Sequence, residues 1–138
     1  MKGNCYEVAG CYLLDAWTRG EAGNLVLVHG RPTLQVTPFC EYGHAWIEIA
    51  QNLERLGAKA ELVLCLDTES GVLVPRELFY KVGRIDPASC LRYRIEDLRR
   101  WVVETGHWGP WEGPEACGPV GRSKAAKDGA RRARRKGR

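Results

Sequence analysis

The sequence predicts an α+β domain in which an N-terminal helix packs on an antiparallel sheet. Apolar residues recur at helical spacing over residues 5–17, which is the pattern of an amphipathic helix. Short runs rich in β-branched residues follow, and a second amphipathic segment begins at Ile95. The predicted chain order is therefore one helix, several consecutive strands and a closing helix.

The first helix is predicted to begin at Cys5 and to end before Gly20 and Gly23. Asn4 stands at its N-cap position and Glu7 follows three residues later, which is close to a capping-box pattern. The predicted apolar stripe consists of Cys5, Val8, Ala9, Tyr12 and Ala16.

Strands are predicted at residues 24–30, 44–50, 62–67, 72–74 and 91–95, with irregular chain at 31–43 and a loop at 51–60. Because side chains alternate along a strand, those of His44, Trp46 and Glu48 share one face, and those of Ala45, Ile47 and Ile49 share the other.

The C-terminal third is predicted to combine a helical turn, a helix and an ordered loop. Pro75–Phe79 reads as a helical turn with proline at its first position. Residues 106–119 are rich in glycine, proline and tryptophan and are predicted to form an ordered loop. Trp101, Trp108 and Trp111 are expected to cluster and close that loop.

Charge divides the chain into two predicted parts, a folded domain at residues 1–120 and a basic disordered tail at residues 121–138. The tail has no Leu, Ile, Val, Phe, Trp or Tyr and cannot bury an apolar face. Residues 122–138 hold nine basic residues and one acidic residue, a net charge of +8, whereas the whole chain carries +4. The segment Arg122–Arg138 is therefore a candidate nucleic-acid-binding arm, with a purely solubilising role as the alternative.

Composition also predicts the compartment and the state of the cysteines. No apolar run reaches the length of a membrane span, and the start of the chain lacks the apolar segment of a secretory signal. We therefore expect a cytoplasmic protein with no membrane partner and with reduced cysteines.

Cys40 and His44 come nearest to a zinc-ligand spacing, but no second ligand pair accompanies them. We expect no metal and no cofactor, and a domain stabilised by a metal at these two residues is the alternative.

The position of Cys5 favours a nucleophilic role. The start of a helix presents unpaired amides and the positive end of the helix dipole, and both favour a thiolate. Cys11 and Cys65 fall inside a helix and a strand and lack this help. If strands 44–50 and 62–67 form a hairpin centred on the 51–60 loop, His44 lies directly opposite Asp67 on the same face. Asp67 would then orient His44 as the base for Cys5.

Three short motifs resemble a known group. They are Gly-Asn-Cys-Tyr at residues 3–6, His-Ala-Trp-Ile-Glu at 44–48 and Val-Leu-Cys-Leu-Asp-Thr at 63–68. Their order and placement are similar to those of the catalytic motifs in the papain-like/transglutaminase-like cysteine peptidase superfamily. The chain has 15 arginines and 6 lysines, and this excess of arginine suggests a small bacterial or phage member. The resemblance covers residues 3–70.

The resemblance implies a Cys-His-Asp catalytic triad of Cys5 as nucleophile, His44 as base and Asp67 as orienting acid. It implies thiol-dependent acyl transfer, by hydrolysis or by transfer to an amine, on a protein, peptide or small amide substrate. Some relatives place an oxyanion-hole glutamine upstream of the cysteine. Here only four residues precede Cys5, so we expect the hole to use its backbone amide together with Asn4 or a residue elsewhere in the chain.

Several other residues are candidates for the same site. His29 ends a strand and is a rival base or a pocket residue, and Trp46 shares the face of His44 and is a candidate pocket wall. Glu48 and Glu69 are substitutes for Asp67. The alternative function is a catalytically inactive papain-like protein that binds a partner through its pocket or its basic tail.

Overall fold

A computed structural model describes residues 4–34, 40–53, 57 and 61–118, so the predicted basic tail lies outside the described residues. The helices are α1 (Cys5–Thr18), α2 (Arg76–Gly83) and α3 (Ile95–Thr105). The strands are β1 (Leu25–Gly30), β2 (Thr33–Leu34), β3 (Cys40–Glu41), β4 (His44–Asn52), β5 (Glu61–Asp67), β6 (Val72–Pro75) and β7 (Leu91–Tyr93). The predicted α+β class, with an N-terminal helix on an antiparallel sheet, is confirmed. Within these ranges, no helix has the length and apolar character needed to cross a bilayer.

Helix α1 begins at Cys5 as predicted, but its cap and its buried face differ from the prediction. The Asn4 side chain makes no capping hydrogen bond, so the predicted capping box is wrong. Val8 and Tyr12, which were predicted to be buried, are 39% and 37% exposed. The helix is rotated about its axis, so a different set of its residues faces the sheet. That buried face consists of Cys5, Ala9, Gly10, Leu13 and Ala16.

Gly10 explains part of this rotation of α1. A Cβ atom at this position would lie 2.6 Å from Cε3 of Trp108, so only glycine lets the indole pack directly on the helix backbone. Trp108 joins the core around α1, while Trp101 and Trp111 stack with ring centroids 5.9 Å apart. Trp101 and Trp111 therefore pair as predicted, whereas Trp108 packs on α1 at Gly10.

A five-stranded sheet with the order β6-β5-β4-β1-β7 forms the centre of the domain, and all its neighbouring strands are antiparallel. Leu27 of β1 pairs with Ile47 of β4, and both belong to the core beneath α1. Trp46 lies on the opposite face in a second core with Tyr80 of α2. The predicted division of β4 into two faces is therefore confirmed.

The predicted register of the β4–β5 hairpin is wrong by two residues. Ile47 pairs with Leu66, so His44 is not directly opposite Asp67. The cause is that β4 continues to Asn52 and β5 already begins at Glu61, which moves the centre of the loop. A two-residue shift preserves the alternation of faces, so His44 and Asp67 remain on the same side of the sheet.

Two short segments also differ from the predictions. The chain at 31–43, predicted as irregular, contains the paired two-residue strands β2 and β3, which are too short to show an alternating pattern. The predicted turn Pro75–Phe79 is the start of a longer helix, α2, with Pro75 at the N-cap. That helix ends at Arg84, which adopts the left-handed conformation with φ 50°.

A buried carboxylate on β4 is hydrogen-bonded to residues of α2 and of the edge strand β7. Glu48 is 3% exposed and accepts hydrogen bonds from Trp46, Tyr80 and Arg92. Arg76 adds an ion pair at 3.6 Å. Burial raises the pKa of Glu48, but hydrogen bonds from Tyr80 and Arg92 outweigh it and hold that pKa below its usual range.

We predict that Glu48→Ala lowers the free energy of unfolding by about 3 kcal/mol, because it leaves the buried hydrogen-bond donors of Trp46 and Tyr80 without an acceptor. Arg76 and Arg92 remain partly solvated in the variant. The expected loss of stability is therefore near the lower end of the range observed when one partner of a buried ion pair is removed. Urea denaturation followed by tryptophan fluorescence measures it. The exposed Glu104→Ala is the control, expected within about 0.5 kcal/mol of the parent. Equal losses in both variants would contradict this role of Glu48.

Candidate active site

The three residues of the predicted triad each stand at the end of an element. Cys5 is the first residue of α1, His44 is the first residue of β4, and Asp67 is the last residue of β5. Cys5 and His44 are 7% and 5% exposed. The structure brings these three ends together at one end of the sheet.

His44 and Asp67 are joined by a direct contact of 3.2 Å between Nε2 and Oδ2. The other carboxylate oxygen, Oδ1, accepts the backbone N–H groups of Glu69 at 3.1 Å and Ser70 at 3.4 Å. Burial raises the pKa of Asp67, but the hydrogen bond and charge of His44 and these two amides outweigh it and lower that pKa. Asp67 is therefore an ionised partner held in place by its own turn.

The other side of the imidazole faces Cys5 and Glu69. One donor atom each from Cys5, His44 and Glu69 lie within 4.8 Å of one another. His44 Nδ1 is 4.0 Å from Glu69 Oε2. Because Nε2 contacts Asp67, Nδ1 is the nitrogen available to the Cys5 sulfur.

The protonation of His44 follows from these neighbours. Burial lowers its pKa, but hydrogen bonding to Asp67 and Cys5, together with their charges, outweighs burial and raises the pKa to about 9. The imidazolium form is thus favoured at neutral pH. An imidazolium between a carboxylate and a sulfur is the arrangement that stabilises a thiolate.

A pocket of about 280 Å³ adjoins the His44–Asp67 pair. Its remaining walls are largely apolar and include Pro32, Phe79 and Ile85. Tyr42 also lines it, with its ring centroid 5.7 Å from that of His44. The polar pair is therefore partly screened from bulk water by apolar surface.

Asn4 and Trp46, predicted as oxyanion or pocket residues, lie near the triad in different ways. Asn4 immediately precedes Cys5 and is exposed. Trp46 is fully buried with its ring centroid 6.3 Å from that of His44, so it packs behind the histidine and presents no surface to a ligand. Its indole N–H donates to Glu48.

His29, the rival base, belongs to a different environment. Its ring packs against Tyr6, Tyr93 and Trp111 at centroid distances of 4.8, 4.8 and 5.1 Å. Both ring nitrogens are buried and have no hydrogen-bond partner among the described residues, and burial lowers the pKa of His29 to about 3. His29 is thus a neutral core residue beside a second pocket of about 120 Å³.

Tyr42 lies beside the site although no sequence pattern indicates it, and Glu69 lies in a different place from the one predicted. The sequence predicts Glu69 as a substitute for Asp67, but the structure places it on the opposite side of the His44 ring, toward Cys5. Only the turn after β5 sets this position. Cys40, considered as a zinc ligand with His44, is exposed on β3 and is not in the donor group around His44.

Comparisons with known proteins add no family to this geometry. No protein-family model matches the chain, and neither a curated protein nor a solved structure matches it.

We predict that the pKa of His44 is about 9 and that Asp67→Asn lowers it by about 1 unit or more, because the variant removes the adjacent negative charge. Since the folded-state value lies above the unfolded one, the interaction stabilises the fold fully below about pH 6.5 and is lost as the pH rises through 9.

Nuclear magnetic resonance titration of the histidine ring signals measures this pKa directly. Asp15→Asn is the control, because Asp15 is an exposed carboxylate on α1 paired with Arg19. An unchanged His44 titration in Asp67→Asn would contradict the proposed coupling.

Proposed function

We propose that this protein is a thiol-dependent acyl-transfer enzyme of the papain-like or transglutaminase-like kind, with a Cys5–His44–Asp67 triad. The observation that carries the proposal is His44 lying between Cys5 and Asp67, with Nε2 at 3.2 Å from the carboxylate. The sequence resemblance over residues 3–70 and a cysteine-bearing helix packed on an antiparallel sheet support it.

The reaction begins with the Cys5 thiolate and the His44 imidazolium as a pair. The sulfur attacks the carbonyl carbon of an amide, ester or isopeptide and forms a tetrahedral intermediate. His44 gives its proton to the leaving amine or alcohol, the bond to that group breaks, and a thioester to Cys5 remains. Asp67 holds the ring in the orientation that these proton transfers require.

The second half returns the enzyme to its starting state. Neutral His44 takes a proton from water or from an acceptor amine, which attacks the thioester carbon and releases Cys5 as the thiolate. Water gives hydrolysis and an amine gives transfer, and the same residues serve both. The first backbone N–H groups of α1 have no intrahelical acceptor, so the Cys5 amide is available to the oxyanion.

The expected substrate is a protein, a peptide or a small amide. The apolar walls beside His44 partly screen the His44–Asp67 pair from water, which strengthens the electrostatic interaction between the two residues. No cofactor takes part in this proposed chemistry, because sulfur, imidazole and carboxylate supply the nucleophile, the proton carrier and the orienting group.

We predict that limiting iodoacetamide at pH 6 alkylates Cys5 about tenfold faster than Cys11, because a histidine beside a cysteine sulfur activates it as a nucleophile. Cys11 is an exposed residue. Partial burial of its thiol, together with the charges of Glu7 and Asp15, raises the pKa of that thiol. Cys5 is buried, so a faster reaction there cannot arise from accessibility. Site-resolved mass spectrometry across pH 5 to 9 provides the measurement.

His44→Ala should remove the advantage of Cys5, while Cys117→Ala, which changes an exposed thiol, should leave it intact. In a screen of activated esters and peptide amides, Cys5→Ala should abolish any turnover that the parent shows. Full activity in Cys5→Ala, or equal alkylation of Cys5 and Cys11 in the parent, would contradict the proposed acyl-transfer function.

A second candidate function is binding of nucleic acid through Arg122–Arg138, which the net charge of +8 over residues 122–138 favours. We predict that the full chain binds single- or double-stranded nucleic acid with an affinity that falls steeply as salt rises. Removing residues 122–138 should abolish this binding. Fluorescence anisotropy at several salt concentrations measures it, and binding that survives the truncation would exclude the tail as the site.

A further inference from the structure

We propose that Cys5, His44 and Glu69 form a binding site for Zn²⁺, and that the bound metal blocks the Cys5 sulfur. The three donor atoms are a sulfur, an imidazole nitrogen and a carboxylate oxygen that lie within 4.8 Å of one another. They come from three separate elements, the start of α1, the start of β4 and the turn after β5. Such convergence of different donor types is distinct from a surface cluster of acids.

The donor types and distances suit zinc. Zinc binds thiolate, imidazole and carboxylate at bond lengths that place neighbouring donors about 3.3–3.6 Å apart in a tetrahedron. The 4.0 Å separation of His44 Nδ1 and Glu69 Oε2 is already close to that span. The Glu69 side chain is 45% exposed, so rotation about its own bonds can supply the remaining movement.

Asp67 prepares this site from behind. A histidine that binds a metal through one nitrogen commonly donates its other N–H to a carboxylate, which fixes the ring. Asp67 takes that place at Nε2 with a contact of 3.2 Å, so Nδ1 is presented to the metal. Its second oxygen accepts the backbone N–H of Glu69 and thereby holds the turn that carries the third ligand.

The consequence is a reversible block of the thiol. Three protein ligands leave the fourth tetrahedral position to water. With the metal bound, the Cys5 sulfur and the His44 Nδ1 lone pair are both engaged, and neither an electrophile nor a leaving group can use them. Metal binding does not require that the protein be an acyl-transfer enzyme, because it depends only on the three donors.

The test uses the full chain, stripped of metal with a chelator, and Zn²⁺ as the probe. Free Zn²⁺ buffered at ten times its dissociation constant should slow alkylation of Cys5 by iodoacetamide about tenfold, since only the metal-free fraction reacts. Alkylation of exposed Cys11 and Cys117 in the same sample reports any nonspecific effect of the metal. Co²⁺ should give a thiolate-to-cobalt charge-transfer band that is absent in Cys5→Ala.

Glu69→Gln separates the metal site from the nucleophile. With chelator present, this variant should still alkylate selectively at Cys5, whereas protection should need about tenfold more Zn²⁺ or greater. Glu61→Gln is the matched control, because Glu61 is an exposed glutamate at the far end of β5. It should bind Zn²⁺ as the parent does.

Two results would overturn the metal site. One is fast, selective alkylation of Cys5 that Zn²⁺ does not slow, and the other is equal protection in Glu69→Gln and in the parent. Slow alkylation of Cys5 in chelator together with a normal Co²⁺ band would instead overturn the proposed acyl-transfer function and leave the metal site standing. The failures of the two proposals are therefore distinguishable.

Discussion

Burial of β4 on both faces is the constraint on which the domain depends. All five residues from His44 to Glu48 are buried, so each face of this strand must be covered by a different element. Ala45 is small enough for the start of α1 to pack closely, and Ile47 completes the apolar contact. The opposite face carries Trp46 and Glu48, which require α2 and a set of hydrogen-bond donors instead.

The same strand places the candidate site. Because β4 begins at His44, the imidazole stands where the sheet ends and the helix α1 begins. There Cys5 approaches from the helix and Asp67 from the neighbouring strand. A histidine two residues further along the strand would occupy the place of Trp46 in the packed core beneath α2. The partners of each ring separate a chemically available histidine from a structural one, because His44 contacts Asp67 and Cys5. The buried ring of His29 has no hydrogen-bond partner among the described residues and shows the second case.

Much of this arrangement could be predicted from the sequence, because period-two alternation tolerates errors of two residues. The expected pairing of His44 with Asp67 is wrong in register, yet the two residues share a face and make contact. Other features depend on tertiary packing, and no local pattern in the sequence indicates them. The face of α1 is set partly by Trp108 packing on Gly10, which lies far along the chain. The position of Glu69 is set by amide hydrogen bonds to Asp67 in a turn that strand reasoning does not describe.

Catalysis and metal binding make different demands on the residues around His44. Both need Asp67 at Nε2, because each requires the ring held with Nδ1 toward Cys5. Glu69 distinguishes them, since an acyl carbonyl must approach the sulfur from outside, whereas a cation is drawn to the sulfur by a carboxylate beside it. A negative charge at this point also disfavours a developing oxyanion nearby. The position of Glu69 therefore fits the proposed cation site better than the proposed acyl-transfer step.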